Sequence, residues 1–312
     1  MNQIRENLNV LGDGIGYIKE YDFSTVNSSH EARLTAVTLV ASVCYNRPDV
    51  VGSQKLYDRL AVEGAGIPSS AFSFVPVLLS STKMEQLFTI MDTHNLLTQR
   101  IPDVLTFGEV VEGSLEDSPM VLTNLRALLQ DLGWTVNFKM AQTLSEEFFN
   151  TSEEDLAKIK KYYKVYQVNI DMSTSKQFIR HNFIGKQELS RRYVSAKKLP
   201  FTFYVSEKMR DVTSVNDIAG SPVELTTNQV IDTCMVHYHA AIEKGVAPQE
   251  ARRIIPQCAY TTIWAGVTPR VLDNLLKLRT SAGTQWEFRQ LANQIAQWED
   301  WKNPDEIKEK DE

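Results

Sequence analysis

An α+β fold is predicted by three observations. Helical periodicity dominates the last third of the chain, and a few alternating, strand-like segments flank a polar stretch near its middle. The glycine run Gly12 to Gly16 lacks full GxGxxG spacing, and no β-branched strand leads into it, so it reads as a turn and not as a dinucleotide loop. With 312 residues, 43% hydrophobic and 23% charged, the chain is long enough for one large or two medium domains with buried cores.

Taken in order, His30 to Tyr45 is apolar at helical spacing and stops before Pro48, which places Cys44 on or near the buried side of a helix. Ser53 to Glu63 reads as a short amphipathic helix ended by Gly64 and Gly66. Ile67 to Ser81 is rich in Phe and Val and suits a strand despite Pro76. Between Thr82 and Lys164 two segments, MEQLFTIMDTHNLL and LTNLRALLQDLG, have helical periodicity, and EVVEGSLEDSP between them reads as a loop. Thr151 and Glu154 have capping-box spacing before DLAKIKKYY. His94 has no second ligand nearby and reads as a surface or packing histidine.

Val165 to Met172 alternates as a strand should, and Thr174 with Gln177 has capping-box spacing for the helix that follows. Phe201 to Val205 is a second strand candidate. Glu224 to Gly245 reads as a helix carrying Cys234, His237 and His239; His239 falls on a different face from the other two, so packing is preferred to a metal site. Pro248 to Pro256 is a short helix cut by proline. Thr268 and Pro269 start another in the favoured order of cap and first-turn proline, and after Gly283 a helix with several tryptophans follows. The charged tail, 302–312, lacks an apolar face. No internal repeat stands out.

The formal net charge of -6 disfavours a nucleic-acid polymer, which needs many cations along a face. Cys44, Cys234 and Cys258 are widely separated and odd in number, which argues for a reducing compartment. With no apolar segment after a basic start and no membrane-length window, cytoplasmic residence is the expectation.

Against that acidic background, Gln177 to Tyr193 gathers Arg180, His181, Lys186, Arg191 and Arg192 around a single carboxylate, Glu188, with Ser190 and Gln177 as neutral hydrogen-bonding groups. A cationic pocket with mixed polar edges suits a nucleotide. A solvated basic face beside a helix end is the plainer reading of the same composition.

Two distant stretches together resemble the flavin-dependent thymidylate synthases. The first runs Arg180-His181-Asn182 and then Glu188-Leu189-Ser190-Arg191-Arg192-Tyr193, where the family carries a signature beginning RHR. The second is Ala251 to Ala292, with an arginine before a proline, a tyrosine-threonine, and an LR followed by QWE. A weaker similarity covers Val40 to Leu60. The family's upstream motif, near GHxSPxEH, aligns either with Gly66-Ile67-Pro68-Ser69 or with Gly133-Trp134-Thr135-Val136, and neither keeps the histidine or glutamate.

The resemblance implies a twisted, mainly antiparallel sheet flanked by helices, in a single domain over 1–312 with a family-atypical extension or insertion at about 82–164. It implies a homotetramer, with Gln177, Glu188, Ser190, Arg191, Arg192, Arg252 and Arg279 around dUMP or a related pyrimidine nucleotide. Ser190 and Arg279 are then the catalytic pair, one orienting substrate and the other stabilising charge as C5 acts as the carbon nucleophile. Arg180, His181, Asn182 and Asn274 correspond to flavin contacts, with Asn182 standing where the family has arginine. FAD is the implied cofactor, NADPH and methylenetetrahydrofolate are the implied co-substrates, and no metal is required. The expected reaction is methylation of dUMP at C5 to dTMP. Hydroxymethylation on the same scaffold, and a nucleotide-binding relative without catalysis, remain alternatives.

Overall fold

The computed structural model describes residues 7–11, 14–62, 69–97, 101–114, 117–181, 185–218 and 221–303. Gly12, Gly64, Gly66, Asn182 and residues 304–312, all invoked above, lie outside the described residues. The architecture is α+β, with antiparallel sheets flanked by helices.

The chain opens with strands β1 (Asn7–Leu11) and β2 (Gly16–Tyr21), followed by helices α1 (His30–Tyr45) and α2 (Gln54–Val62). Of the glycine run, the described Gly14 and Ile15 form a tight turn into β2, and the run lies between two strands that the sequence did not announce. Gly16 is obligatory there: its φ is +151°, and a Cβ would lie 1.9 Å from the backbone oxygen of Asn169.

A 3-10 turn, Ser70–Phe74, then leads into β3 (Pro76–Leu79), α3 (Ser81–Thr93), α4 (Asp103–Thr106), β4 (Glu109–Ser114), β5 (Asp117–Asn124), α5 (Leu125–Asp131), α6 (Phe138–Ser145) and α7 (Glu153–Tyr162). The strand expected over Ile67 to Ser81 is therefore shorter, and the described residues of EVVEGSLEDSP, 109–114 and 117–119, lie in paired strands rather than a loop. Its polar residues suit β4, an outer strand of the sheet β3-β5-β4 whose residues are half-buried or exposed. The cap of α7 is Ser152, not Thr151, its side chain accepting from the Asp155 amide. His94 is exposed at the end of α3.

The second half begins with β6 (Lys164–Asp171), α8 (Met172–Phe178) and β7 (Gly185–Glu188), then α9 (Glu207–Arg210), β8 (Thr213–Ile218) and β9 (Ser221–Thr226). It ends with α10 (Thr227–Glu243), α11 (Pro248–Ala251), a 3-10 turn Arg252–Ile254, β10 (Tyr260–Val267), α12 (Pro269–Arg279) and α13 (Trp286–Trp298). The helix expected from Glu224 starts three residues later, because Glu224 to Thr226 pair in the β8–β9 hairpin. Phe201 to Val205 makes only an isolated bridge, Phe203 to Ala259, and is not a strand.

The main sheet has the order β1-β2-β6-β10-β7, antiparallel throughout. Alternation along its strands separates two cores. Tyr21, Val165 and Trp264 face the apolar cluster shared with α1, α2 and the β3-β5-β4 layer. Ile18, Val168, Ile170, Ile263 and Ala265 face a second cluster under α8, α12 and α13.

The sheets β3-β5-β4 and β6-β10-β7 share one strand order. In each, a helix follows the first strand directly; three helices, α5 to α7, follow β5, and two, α12 and α13, follow β10.

Candidate functional site

The site is set by the end of β6. Asp171 caps α8, its Oδ1 accepting from the amides of Ser173 and Thr174 at 2.9 and 3.0 Å. Thr174 donates to that cap and does not form the box expected with Gln177. A strand that runs straight into a capped helix projects Ser175 and Lys176 over the neighbouring strand ends.

Glu188 closes β7 opposite Ile263 of β10. Its Oε1 accepts from the hydroxyls of Ser175 at 3.3 Å and Thr261 at 3.1 Å. Burial raises the carboxyl above its ordinary range, and the two hydroxyl donors and Lys176 oppose that rise.

Beside Glu188 lies a cleft of about 430 Å³, within the ~300–1,000 Å³ typical of small-molecule sites. One wall is Ser175 and Lys176 of α8, another is Glu188 to Arg191, and the third comes from Arg252 and Arg253 of the 3-10 turn. Lys176 Nζ donates to Gln257 Oε1. Arg253 pairs with Glu250 at 3.3 Å, and both arginines of the turn are exposed.

Arg191 is buried in the cleft wall, where its guanidinium lies 4.0 Å from the Phe201 ring centroid and Nη1 donates to the Leu199 carbonyl at 3.0 Å. Burial pulls its pKa down to about 10. Its Nε–H is buried without a hydrogen-bond acceptor among the described residues. An orphaned guanidinium N–H beside a cleft is costly unless an anion or carbonyl meets it.

Of the residues singled out in the sequence, Glu188, Ser190, Arg191 and Arg252 share this cleft. Arg192 turns outward, with Nε donating to Gln249 at 3.2 Å. Gln177 donates to Gln285. Arg279, at the end of α12, donates from Nε to His181 Nε2 at 2.9 Å, with its guanidinium 5.0 Å from the Phe288 ring centroid. His181 is buried, and desolvation with Arg279 and Lys186 lowers its pKa to about 4. Arg180 and Asn274 are exposed.

Sequence reasoning missed Ser175, Lys176, Arg253, Gln257 and Thr261. The signals were adjacent: Lys176 precedes Gln177, Arg253 follows Arg252, and Thr261 is the threonine of the tyrosine-threonine pair. No group of three or more histidine, cysteine or acidic side chains suited to a metal occurs among the described residues.

The upstream motif has two placements, which now differ in setting. Ser69 caps the 3-10 turn whose Ser70 hydroxyl reaches Gln187 of β7. Gly133 to Val136 lies instead at the end of α5, with Trp134 buried in the core shared with the β3-β5-β4 layer.

Residues 161–301 match the family model of the thymidylate synthase complementing proteins. A flavin-dependent thymidylate synthase from Aquifex aeolicus is 28% identical over 151 residues, covering 46% of this chain and 47% of that protein. A probable flavin-dependent thymidylate synthase from Paramecium bursaria Chlorella virus 1 is 30% identical over 149 residues, covering 43% of this chain and 67% of that protein. The chain belongs to the flavin-dependent thymidylate synthase family. It spans about half the length of the Aquifex relative, 47%. The crystal structure of a UMP/dUMP methylase, PolB from Streptomyces cacaoi, bound with 5-Br dUMP aligns at a TM-score of 0.34 and 21% identity, over 44% of this chain and 64% of that one. Among the described residues, no helix is long and apolar enough to cross a membrane.

Proposed function

We propose that the cleft binds dUMP and that the protein methylates it at C5 to give dTMP, with FAD, NADPH and methylenetetrahydrofolate. The observation that carries this reading is Arg191, buried in the cleft wall with its Nε–H unmet, beside Lys176, Arg252 and Arg253. An anionic phosphate fits the cationic rim, and arginine forks match its oxygens bidentately. The floor of Glu188, Ser190 and Thr261 then offers acceptors and hydroxyls to the N–H and carbonyl edges of a uracil.

The chain's own residues act by alignment. Ser190 orients the base and is no nucleophile, because the described residues pair no histidine base with it. Arg279, to which the resemblance gives the stabilisation of charge at C5, does not line this cleft; its Nε–H is taken by the neutral His181.

The donor set fits a flavin. Exposed Arg180 and Asn274 present a cation and an amide suited to a diphosphate, and Lys186 stands near the same turn, donating to the carbonyls of Ile179 and His181 at 3.3 Å. When bound, FAD supplies the hydride chemistry that no side chain here can provide. The tetrameric assembly implied by the resemblance and the cytoplasmic residence expected from the sequence belong to this proposal.

The test is product analysis. Purified protein with FAD, NADPH, methylenetetrahydrofolate and dUMP yields dTMP; a hydroxymethylated nucleotide as the product would contradict the reading, and so would a colourless protein that takes up no flavin.

A further inference from the structure

Successive residues of β7 point to opposite faces of the sheet. Glu188 points to the cleft. Gln187, opposite Trp264, points to the other side, where α1 and the Ser70–Phe74 turn pack. There the Gln187 amide donates to Cys44 Sγ, and its Oε1 accepts from the Ser70 hydroxyl at 2.5 Å. Cys44 in turn donates its thiol hydrogen to the backbone oxygen of Glu188 at 3.0 Å. The Cys44 carbonyl accepts the amide of Ser190 at 3.2 Å. One residue along, Tyr45 packs on Tyr193 with ring centroids 5.1 Å apart.

The end of α1 thus grips both peptide groups that flank Leu189. The helix behind it is rigidly placed, because Val37, Val40 and Ala41 are fully or almost fully buried. Burial pushes the Cys44 thiol up to about 11, so it stays protonated and remains a donor at neutral pH.

We infer that Cys44 and Gln187 are positioning residues of the cleft: from the opposite face of the sheet, their hydrogen bonds fix the backbone of Glu188 and Ser190 in the geometry that receives the nucleotide. The relay is local, since it needs only α1, β7 and the Ser70 turn. It rests on the reading of the cleft as a nucleotide site. A side chain of the same shape without donor or acceptor capacity leaves the fold standing and loosens the strand end. Serine keeps both roles in a smaller atom.

The experiment compares full-length wild type, Cys44→Ser, Cys44→Ala and Gln187→Met by dUMP titration, by hydrogen exchange of the peptide covering 185–194, and by thermal melting. Cys44→Ala and Gln187→Met each weaken dUMP binding by about tenfold, the scale of one or two lost hydrogen bonds. Both speed exchange in that peptide, and Cys44→Ser stays within about threefold of wild type in affinity. The inference is overturned if Cys44→Ala binds as wild type does, if Cys44→Ser fails as badly as Cys44→Ala, or if melting temperature falls with no exchange change confined to that peptide. A wild type that does not bind dUMP sinks the nucleotide reading alone. The exchange difference between the alanine and serine variants then still decides the relay.

Discussion

Arg279 donates its Nε–H to Nε2 of His181 across 2.9 Å, joining the end of α12 to the turn after α8. That bond needs a neutral imidazole. Its pKa is lowered from 6.5 to about 4, with burial the largest cause and the charges of Arg279 and Lys186 adding to it. Between roughly pH 6.5 and 4 the unfolded chain therefore takes up a proton that the folded chain refuses, and stability falls as pH drops through that window. The loss approaches about 1.4 kcal/mol per pH unit at its steepest. His181→Gln keeps an acceptor for Arg279 and removes the titration, so denaturant melts of this variant show a shallower slope across the window. An unchanged slope would rule out His181 as its source.

Glu188 has the opposite sign. Its carboxyl is raised from 4.5, mainly by burial, so the folded chain holds a proton that the unfolded chain releases, and stability is lost as pH rises above 4.5. Glu188→Gln relieves this cost: the ligand-free protein melts higher at pH 7 than wild type. The same substitution weakens dUMP binding about tenfold, since an acceptor facing the base becomes partly a donor. A variant that is neither more stable nor weaker in binding contradicts the placement.

Arg191 is both wall and latch. Arg191→Met retains much of the stem's packing but removes the bond to Leu199 and the guanidinium face over Phe201. Unfolding free energy drops by about 1–3 kcal/mol, and dUMP affinity falls with it. Affinity that survives while stability drops would leave Arg191 a latch only.

Gly266 tests how the two layers meet. A Cβ there would fall 2.0 Å from Oη of Tyr163, whose hydroxyl donates to the Ser73 carbonyl at 3.3 Å. Gly266→Ala destabilises by about 1–3 kcal/mol through overpacking, and Tyr163→Phe in the same chain recovers part of it. No recovery in thermal melts of the double variant would mean that the strain lies elsewhere.

The helices were legible where local chemistry and burial agree. α1 begins at the Ser29 cap and ends at Asn46 in the left-handed conformation, within the bounds its apolar spacing predicts. Strands were harder. β10 is buried on both faces over most of its length, so TTIWAGV lacks the alternation that marks a half-exposed strand. β9 hid for the opposite reason, being largely exposed. The capping expectation for Thr174 and Gln177 failed because Asp171, the last residue of its strand, already caps α8. In the cleft, Glu188, Ser190 and Arg191 were legible because one short turn carries them. Lys176, Arg253 and Thr261 were not, since only the approach of α8, the Arg252–Ile254 turn and β10 gives them a common target.

In the proposed function this cleft receives a pyrimidine nucleoside monophosphate by its phosphate and its base together. Calorimetric titration of dUMP into wild type and Arg252→Ala tests it most directly. Saturable binding at one site per chain is expected in wild type, weakened by about tenfold or more once the rim arginine is removed. No saturable heat in wild type, or equal affinity in the two proteins, would contradict it.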